Sequence, residues 1–294
     1  GPLGSAATLA AASTAERNRR VLVNATGSAR ATQKAGYRHV FQVPAPFAAY
    51  GTGVLEIARR MDYRRMMILA RDDPASREMA ARLREDAAAA GLQAGEIEVY
   101  ASGQTDFSAQ IARARSSGAQ AWVAFGLPRD AAEMVKSLRK SGYAPAMFAA
   151  QGAADPLFVK LVGQDAERAL GITPWERTFA SRESRRFAEA YVRKWSAEPT
   201  HLAAEGYAAA KVLEEAVRRA GSLDQEKLRA QLAALEIETP LGAYKVDGSG
   251  VQLAAKPAVV QIQSGRRHVV WPEQLATAKW LLPYPRWEER KLLK

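Results

Sequence analysis

The chain has 294 residues, more than one hydrophobic core usually serves, and its 48% apolar and 25% charged residues mark it as globular. Zero cysteines exclude disulfides, thiolate zinc sites and cysteine nucleophiles, and charges interrupt every apolar run before it reaches the roughly 18 residues of a membrane-spanning helix. The net charge of +11 does not argue for nucleic acid, because basic residues mix with acidic ones, as in Arg59-Arg60-Met61-Asp62 and Arg82-Leu83-Arg84-Glu85-Asp86, with no basic stripe interleaved with aromatics.

An alanine-rich stretch over 6–17 predicts a helix, and Val21-Leu22-Val23 a buried strand that runs into the polar turn Asn24-Ala25-Thr26-Gly27-Ser28. Residues 47–61 carry Val54, Leu55, Ala58 and Met61 on one helical face, followed by a strand over 66–70 and a helix over 77–91 closed by Gly91. The alternation continues with strands over 96–100, 121–125 and 147–150 and helices over 107–117 and 130–142. Strands alternating with helices of this length predict βαβ units and a parallel sheet covered on both faces.

Two long helices follow over 181–221, broken at Glu198-Pro199, whose stripes (Phe187, Tyr191 and Trp195, then Tyr207, Val212 and Val217) are read as core. Beyond Thr239 the pattern turns to β, with Gly242 to Val246, the turn Asp247-Gly248-Ser249-Gly250, and a hairpin of 258–263 and 267–271 around Ser264-Gly265.

Little in the chain points to catalysis. His39, His201 and His268 lack metal-ligand spacing, and there is no nucleophile elbow, phosphate loop or dinucleotide fingerprint; Gly51-Thr52-Gly53 falls inside a helix-forming stretch. Asp72-Asp73, before Pro74, sits where open α/β sheets bind ligands, but reads better as a helix cap. The Thr26-Gly27-Ser28 turn offers hydroxyls and backbone N–H groups together, a combination suited to a carboxylate.

Residues 21–28 together with Gly36-Tyr37-Arg38-His39-Val40-Phe41 resemble the type I periplasmic solute-binding proteins of the leucine/isoleucine/valine-binding family. So do Thr105-Asp106-Phe107-Ser108-Ala109-Gln110-Ile111, the helix end Leu138 to Tyr143, and the tail Val270-Trp271-Pro272-Glu273 with 283–290. The resemblance implies an α/β fold of two Rossmann-like lobes with parallel sheets, joined by a hinge and closing on a ligand in the cleft between them. One lobe maps to 1–44 and 174–241, the other to 45–173 and 242–294. It also implies a periplasmic, non-enzymatic, substrate-binding component of an ABC transporter for amino-acid transport, with an ABC permease as partner and no cofactor or metal.

The family's pocket carries over onto Ser5 in the first loop and onto Thr26, Gly27 and Ser28 in the ligand-holding turn. In the other lobe Ala75 and Gly126, the latter beside Phe125, stand where aromatics are expected, and Gln151 where an acid pairs with an ammonium group. A neutral amide cannot give that charge-assisted bond, and small residues in place of aromatics are expected to enlarge the cleft, so a bulkier or aromatic carboxylic acid, or no ligand at all, is expected over a plain α-amino acid.

Two departures remain. The family's opening βαβαβ stretch is not found here, so the first lobe is expected to be incomplete, with its unpaired strand edges covered by a partner chain or second copy, removed by a rearranged lobe, or completed in a longer protein of which this chain is part. Gly1 to Ser5 reads either as the family's ligand-binding loop or as a protease scar. A shortened, non-transporting relic or sensor is the rival reading.

Overall fold

A computed structural model describes residues 1–34 and 36–290, so the last four residues assigned to the second lobe lie outside the described ones. The chain forms two compact units, Gly1–Ala49 with Pro174–Pro257, and Tyr50–Thr173 with 258–290.

It begins in the first unit with α1 (Ser5–Arg17), β1 (Leu22–Asn24), α2 (Ala31–Lys34) and β2 (Val40–Gln42), β1 pairing with β2 in parallel. The second unit takes α3 (Thr52–Arg60), β3 (Arg65–Arg71), α4 (Pro74–Ala89), β4 (Gln93–Ala94), β5 (Glu98–Tyr100) and α5 (Ser108–Ser117). It continues with β6 (Ala121–Phe125), α6 (Pro128–Lys140), β7 (Met147–Ala150), α7 (Pro156–Val162) and β8 (Leu170–Thr173). The chain returns to the first unit for α8 (Arg182–Trp195), α9 (His201–Ala220), α10 (Gln225–Ala234), β9 (Ile237–Thr239) and β10 (Gly242–Tyr244), then ends in the second with β11 (Ala258–Gln263) and β12 (Arg266–Trp271).

The second unit is built on one sheet in the order β12-β11-β8-β7-β6-β3-β4, with β5 also on β3. Strands β3, β6, β7 and β8 run parallel, and the antiparallel β11 and β12 close one side. Helices cover both faces, which is why Met66 to Ala70 and Ala121 to Phe125 are unbroken apolar runs and wholly buried. On α6, Ala131, Met134, Val135 and Leu138 recur at helical spacing and fill the core against Trp122 and Phe148. Asp73 accepts from the Ser76 N–H at 2.9 Å and Pro74 takes the first helical position, so the cap reading of this acidic pair holds.

The structure departs from the sequence reading in three places. The helix expected over 47–61 is a short 3-10 turn followed by α3, and β8, α7 and α10 were not anticipated. Residues 242–257 belong to the first unit, not the second: the Gln42 N–H donates to Gly250 O at 2.9 Å and Gln252 Nε2 to Val43 O at 3.0 Å, so this segment lines the outer edge of β2. That edge is therefore not bare. Finally, the aromatic stripe is only partly core: Phe187 is buried, but Tyr191 stacks outward toward a Trp195 that is 60% exposed, and Tyr207 is 43% exposed. The apolar period of α8 continues past the part of the helix that packs.

Candidate functional site

Open parallel sheets hold ligands at the carboxyl ends of their strands, where the connecting loops converge. The sequence-predicted residues lie at two such edges, one in each unit.

In the first unit β1 ends at Asn24, which is fully buried. Its Oδ1 accepts from the Gly27 N–H and its Nδ2 donates to Gly27 O, each at 2.7 Å, while Gln42 Nε2 donates to the same carbonyl at 3.2 Å. A Cβ on Gly27 would come within 2.7 Å of Thr8 Oγ1 and 2.8 Å of Thr8 Cβ, so only glycine fits beneath α1. The Thr26 hydroxyl accepts from the Gly4 N–H at 2.9 Å and donates to Pro2 O at 3.0 Å, and Ser5 Oγ accepts from the Ala29 N–H at 3.1 Å. Gly4, at φ 83°, caps α1 in the left-handed region that favours glycine.

These contacts pin the start of α1 onto the 26–29 turn. The first-turn amides of Ser5, Ala6 and Ala7 have no intrahelical acceptor and form the positive end of the helix dipole. The hydroxyl and N–H groups expected to take a carboxylate at Thr26 and Gly27 have partners within the protein. The Gly27 N–H is held by Asn24, the Thr26 hydroxyl bridges Gly4 and Pro2, and Ser28 is only 2% exposed. Ser5 is half-buried and Ala6 and Ala7 are exposed at the start of α1.

In the second unit Arg71 ends β3, and Gly126 and Gln151 follow β6 and β7 at the same edge, since Ala70 pairs with Phe125 and Ala124 with Ala150. Phe125 is a correction: it is fully buried in the core, because β6 is covered on both faces, and its carbonyl accepts from Tyr100 Oη at 2.9 Å. Gly126 does not open a space as expected. A Cβ there would fall 2.0 Å from Tyr100 Oη, so the phenol already fills that volume. Gln151 begins a 3-10 turn and is half-buried, with Gly152 against the backbone of Leu127. Ala75 lies in the first turn of α4.

Sequence reasoning missed the charged groups of this edge. Asp130 is buried, accepts from the Leu127 N–H at 2.8 Å, and has Tyr100 Oη at 3.5 Å and Arg71 Nε at 3.8 Å. Arg71 donates to Ser102 Oγ at 2.6 Å, and its Nε is buried without a hydrogen bond. Burial, and then the Asp130 charge, push the Tyr100 hydroxyl far above its ordinary pKa, so it stays a neutral donor. The one available signal was that Asp130 stands three residues after Leu127, at capping-box spacing.

His39 is structural, as read: its ring nitrogens lie 3.1 Å from Glu16 and 3.1 Å from Glu226, between α1 and α10. Among the described residues no cluster of three or more His, Asp or Glu could hold a metal, and no helix is long and apolar enough to cross a membrane. A cavity of about 640 Å³ between α3 and the end of α4 is lined by Leu55, Arg59, Tyr63 and Leu92 at the amino end of β3, opposite the edge where β3, β6 and β7 end.

Two α/β units threaded by three crossings, the second built on a mostly parallel sheet, have the architecture of type I periplasmic binding proteins. The chain belongs to the periplasmic binding protein family, which it matches over residues 1–267, a span that includes the Gly1 to Ser5 loop. Among curated proteins it is similar to Leu/Ile/Val-binding protein homolog 7 of Brucella abortus, 25% identical over 206 residues that cover 66% of this chain and 51% of that protein. The chain thus spans about half the length of the curated relatives it matches. A leucine-binding protein of Thermotoga maritima shares the fold with a TM-score of 0.78 at 24% identity, over 92% of this chain and 77% of its own. A structure described as a putative branched-chain amino acid ABC transporter from Rhodospirillum rubrum does so with a TM-score of 0.83 at 21% identity, over 92% and 78%.

Proposed function

We propose that this chain is the solute-capturing component of an ABC importer acting in the periplasm. It takes up a small carboxylate and presents it to the permease. The observation that carries this reading is the start of α1 fixed on the 26–29 turn by the Gly4–Thr26 and Ser5–Ala29 hydrogen bonds, which leaves a neutral set of N–H and hydroxyl donors at a helix N-terminus. The names of the relatives, leucine-binding and branched-chain amino-acid proteins, support an amino acid or similar acid as the class. Gln151, a neutral amide, supports an acid without an ammonium group, aromatic acids included.

A second reading, a non-transporting relic or sensor, is favoured by the Gly27 N–H held by Asn24 and by Tyr100 filling the space at Gly126. A thermal-shift screen of the purified chain with L-leucine, L-phenylalanine, benzoate and phenylacetate separates the two. A ligand at a hundredfold excess over its Kd stabilises by about 2.7 kcal/mol, a rise of several degrees in Tm. Silence across the panel would remove the transport reading in favour of the relic.

A further inference from the structure

We infer that Asn24 is a positioning residue that decides which donors the turn can offer, an inference that rests on the carboxylate-binding reading of that turn. A three-residue step from Asn24 to Gly27 lets one side-chain amide bridge both polar groups of a single peptide residue. Its oxygen takes the Gly27 N–H and its nitrogen supplies the Gly27 carbonyl, both at 2.7 Å. The clamp sits in a fully buried side chain, where hydrogen bonds cost most to lose and are least exchanged with water.

The clamp is braced from three directions. Gln42 Nε2 reaches the same carbonyl at 3.2 Å, and Gln42 Oε1 accepts from the Gln252 N–H at 3.3 Å, tying the turn through β2 to the 246–252 segment. Thr8, buried on α1, closes over the Cα of Gly27. Every group in this brace is neutral. The consequence is a change in where an anion would be met. With the Gly27 N–H turned inward onto Asn24, a carboxylate is received by Ser5 and the first-turn amides of α1, and Asn24 keeps those donors aligned without touching the ligand.

The test compares Asn24→Ala and Asn24→Asp with the native chain in two measurements. In the first, amide hydrogen exchange is followed residue by residue without ligand. Asn24→Ala is expected to speed Gly27 exchange at least tenfold while amides of β3 and β6 hold their rates. Asn24→Asp, which keeps an acceptor for the Gly27 N–H, is expected to restore its protection. A role in stability alone would lower Tm without singling out Gly27. In the second, the binding of benzoate and of benzamide is titrated. Asn24→Asp, which places a charge beneath the turn, is expected to weaken benzoate by tenfold or more and leave benzamide within twofold. Equal Gly27 exchange in native chain and Asn24→Ala overturns the inference, as does equal weakening of the two probes. If the native chain binds none of the four acids of the thermal-shift panel, the carboxylate reading fails, and the exchange result still decides the clamp.

Discussion

Asp130 in the second unit and Glu205 in the first are carboxyls buried almost equally, at 6% and 5% exposure, in opposite surroundings. Asp130 stands at the first turn of α6 with the Leu127 N–H, the Tyr100 hydroxyl and Arg71 around it. Glu205 stands within α9 among the buried Ala204, Ala208, Ala209 and Val212, and burial alone pushes its pKa up to about 8. The difference lies in the donors aimed at each carboxyl: three groups face Asp130, whereas Glu205 is held by burial alone. The second unit uses its carboxyl to organise a strand end, whereas the first organises its own strand end with the uncharged amides of Asn24, Gln42 and Gln252.

The largest expected effect follows from Glu205. Its folded pKa of about 8 lies above the unfolded 4.5, so the folded state binds the extra proton between these values. The stability it contributes is complete below pH 4.5 and is lost as pH rises toward 8. Chemical denaturation of the native chain should therefore show a fall on the order of 3 kcal/mol between pH 5 and 8, reduced to a small slope in Glu205→Gln. Parallel profiles for the two would show that burial does not hold the Glu205 proton in the folded state.

A smaller effect tests the other side. Gly126→Ala forces a methyl onto Tyr100 Oη and should destabilise by about 2 kcal/mol, while Tyr100→Phe alone loses one hydrogen bond to Phe125 O, about 1 kcal/mol. Because the clash is with the hydroxyl oxygen, the double variant should be less destabilised than the sum of the singles. Additive losses in a double-mutant cycle by urea denaturation would mean that some other neighbour excludes the side chain.

Much of the second unit could be read from sequence because buried parallel strands declare themselves as apolar runs, as at Met66 to Ala70 and Ala121 to Phe125. Strand β8 could not. Its Gly171 weakens the run, yet a Cβ there would lie 2.3 Å from Ala154 N, so the glycine answers to a tertiary contact that no local pattern encodes. The same limit applies to the candidate site. The Thr26-Gly27-Ser28 turn was visible by composition, but which of its donors remain accessible depends on Asn24 and on the start of α1. Phe125 and Gly126 are adjacent in sequence, and only the end of β6 between them separates a core residue from a loop residue.

The smallest effect concerns Glu16, where the sign reverses within the first unit. Burial raises its pKa, but hydrogen bonds from the His39 N–H, the His39 ring and the Arg38 N–H outweigh it and leave the carboxyl below its ordinary value. A depressed acid contributes stability that is present above the unfolded pKa and lost as pH falls through the folded one. Glu16→Gln keeps an oxygen for the two backbone donors at 2.9 Å and removes only the charge facing His39 Nδ1 at 3.1 Å, so the loss at pH 7 should be about 0.5–1 kcal/mol. Native and Glu16→Gln stabilities should converge only at acid pH, below the ordinary carboxylate range, whereas native and Glu205→Gln converge near pH 5 and part as pH rises. Divergence of the Glu16 pair on acidification would show that the His39 contact works against the carboxylate, and that burial, not the donors around it, governs this half-buried acid.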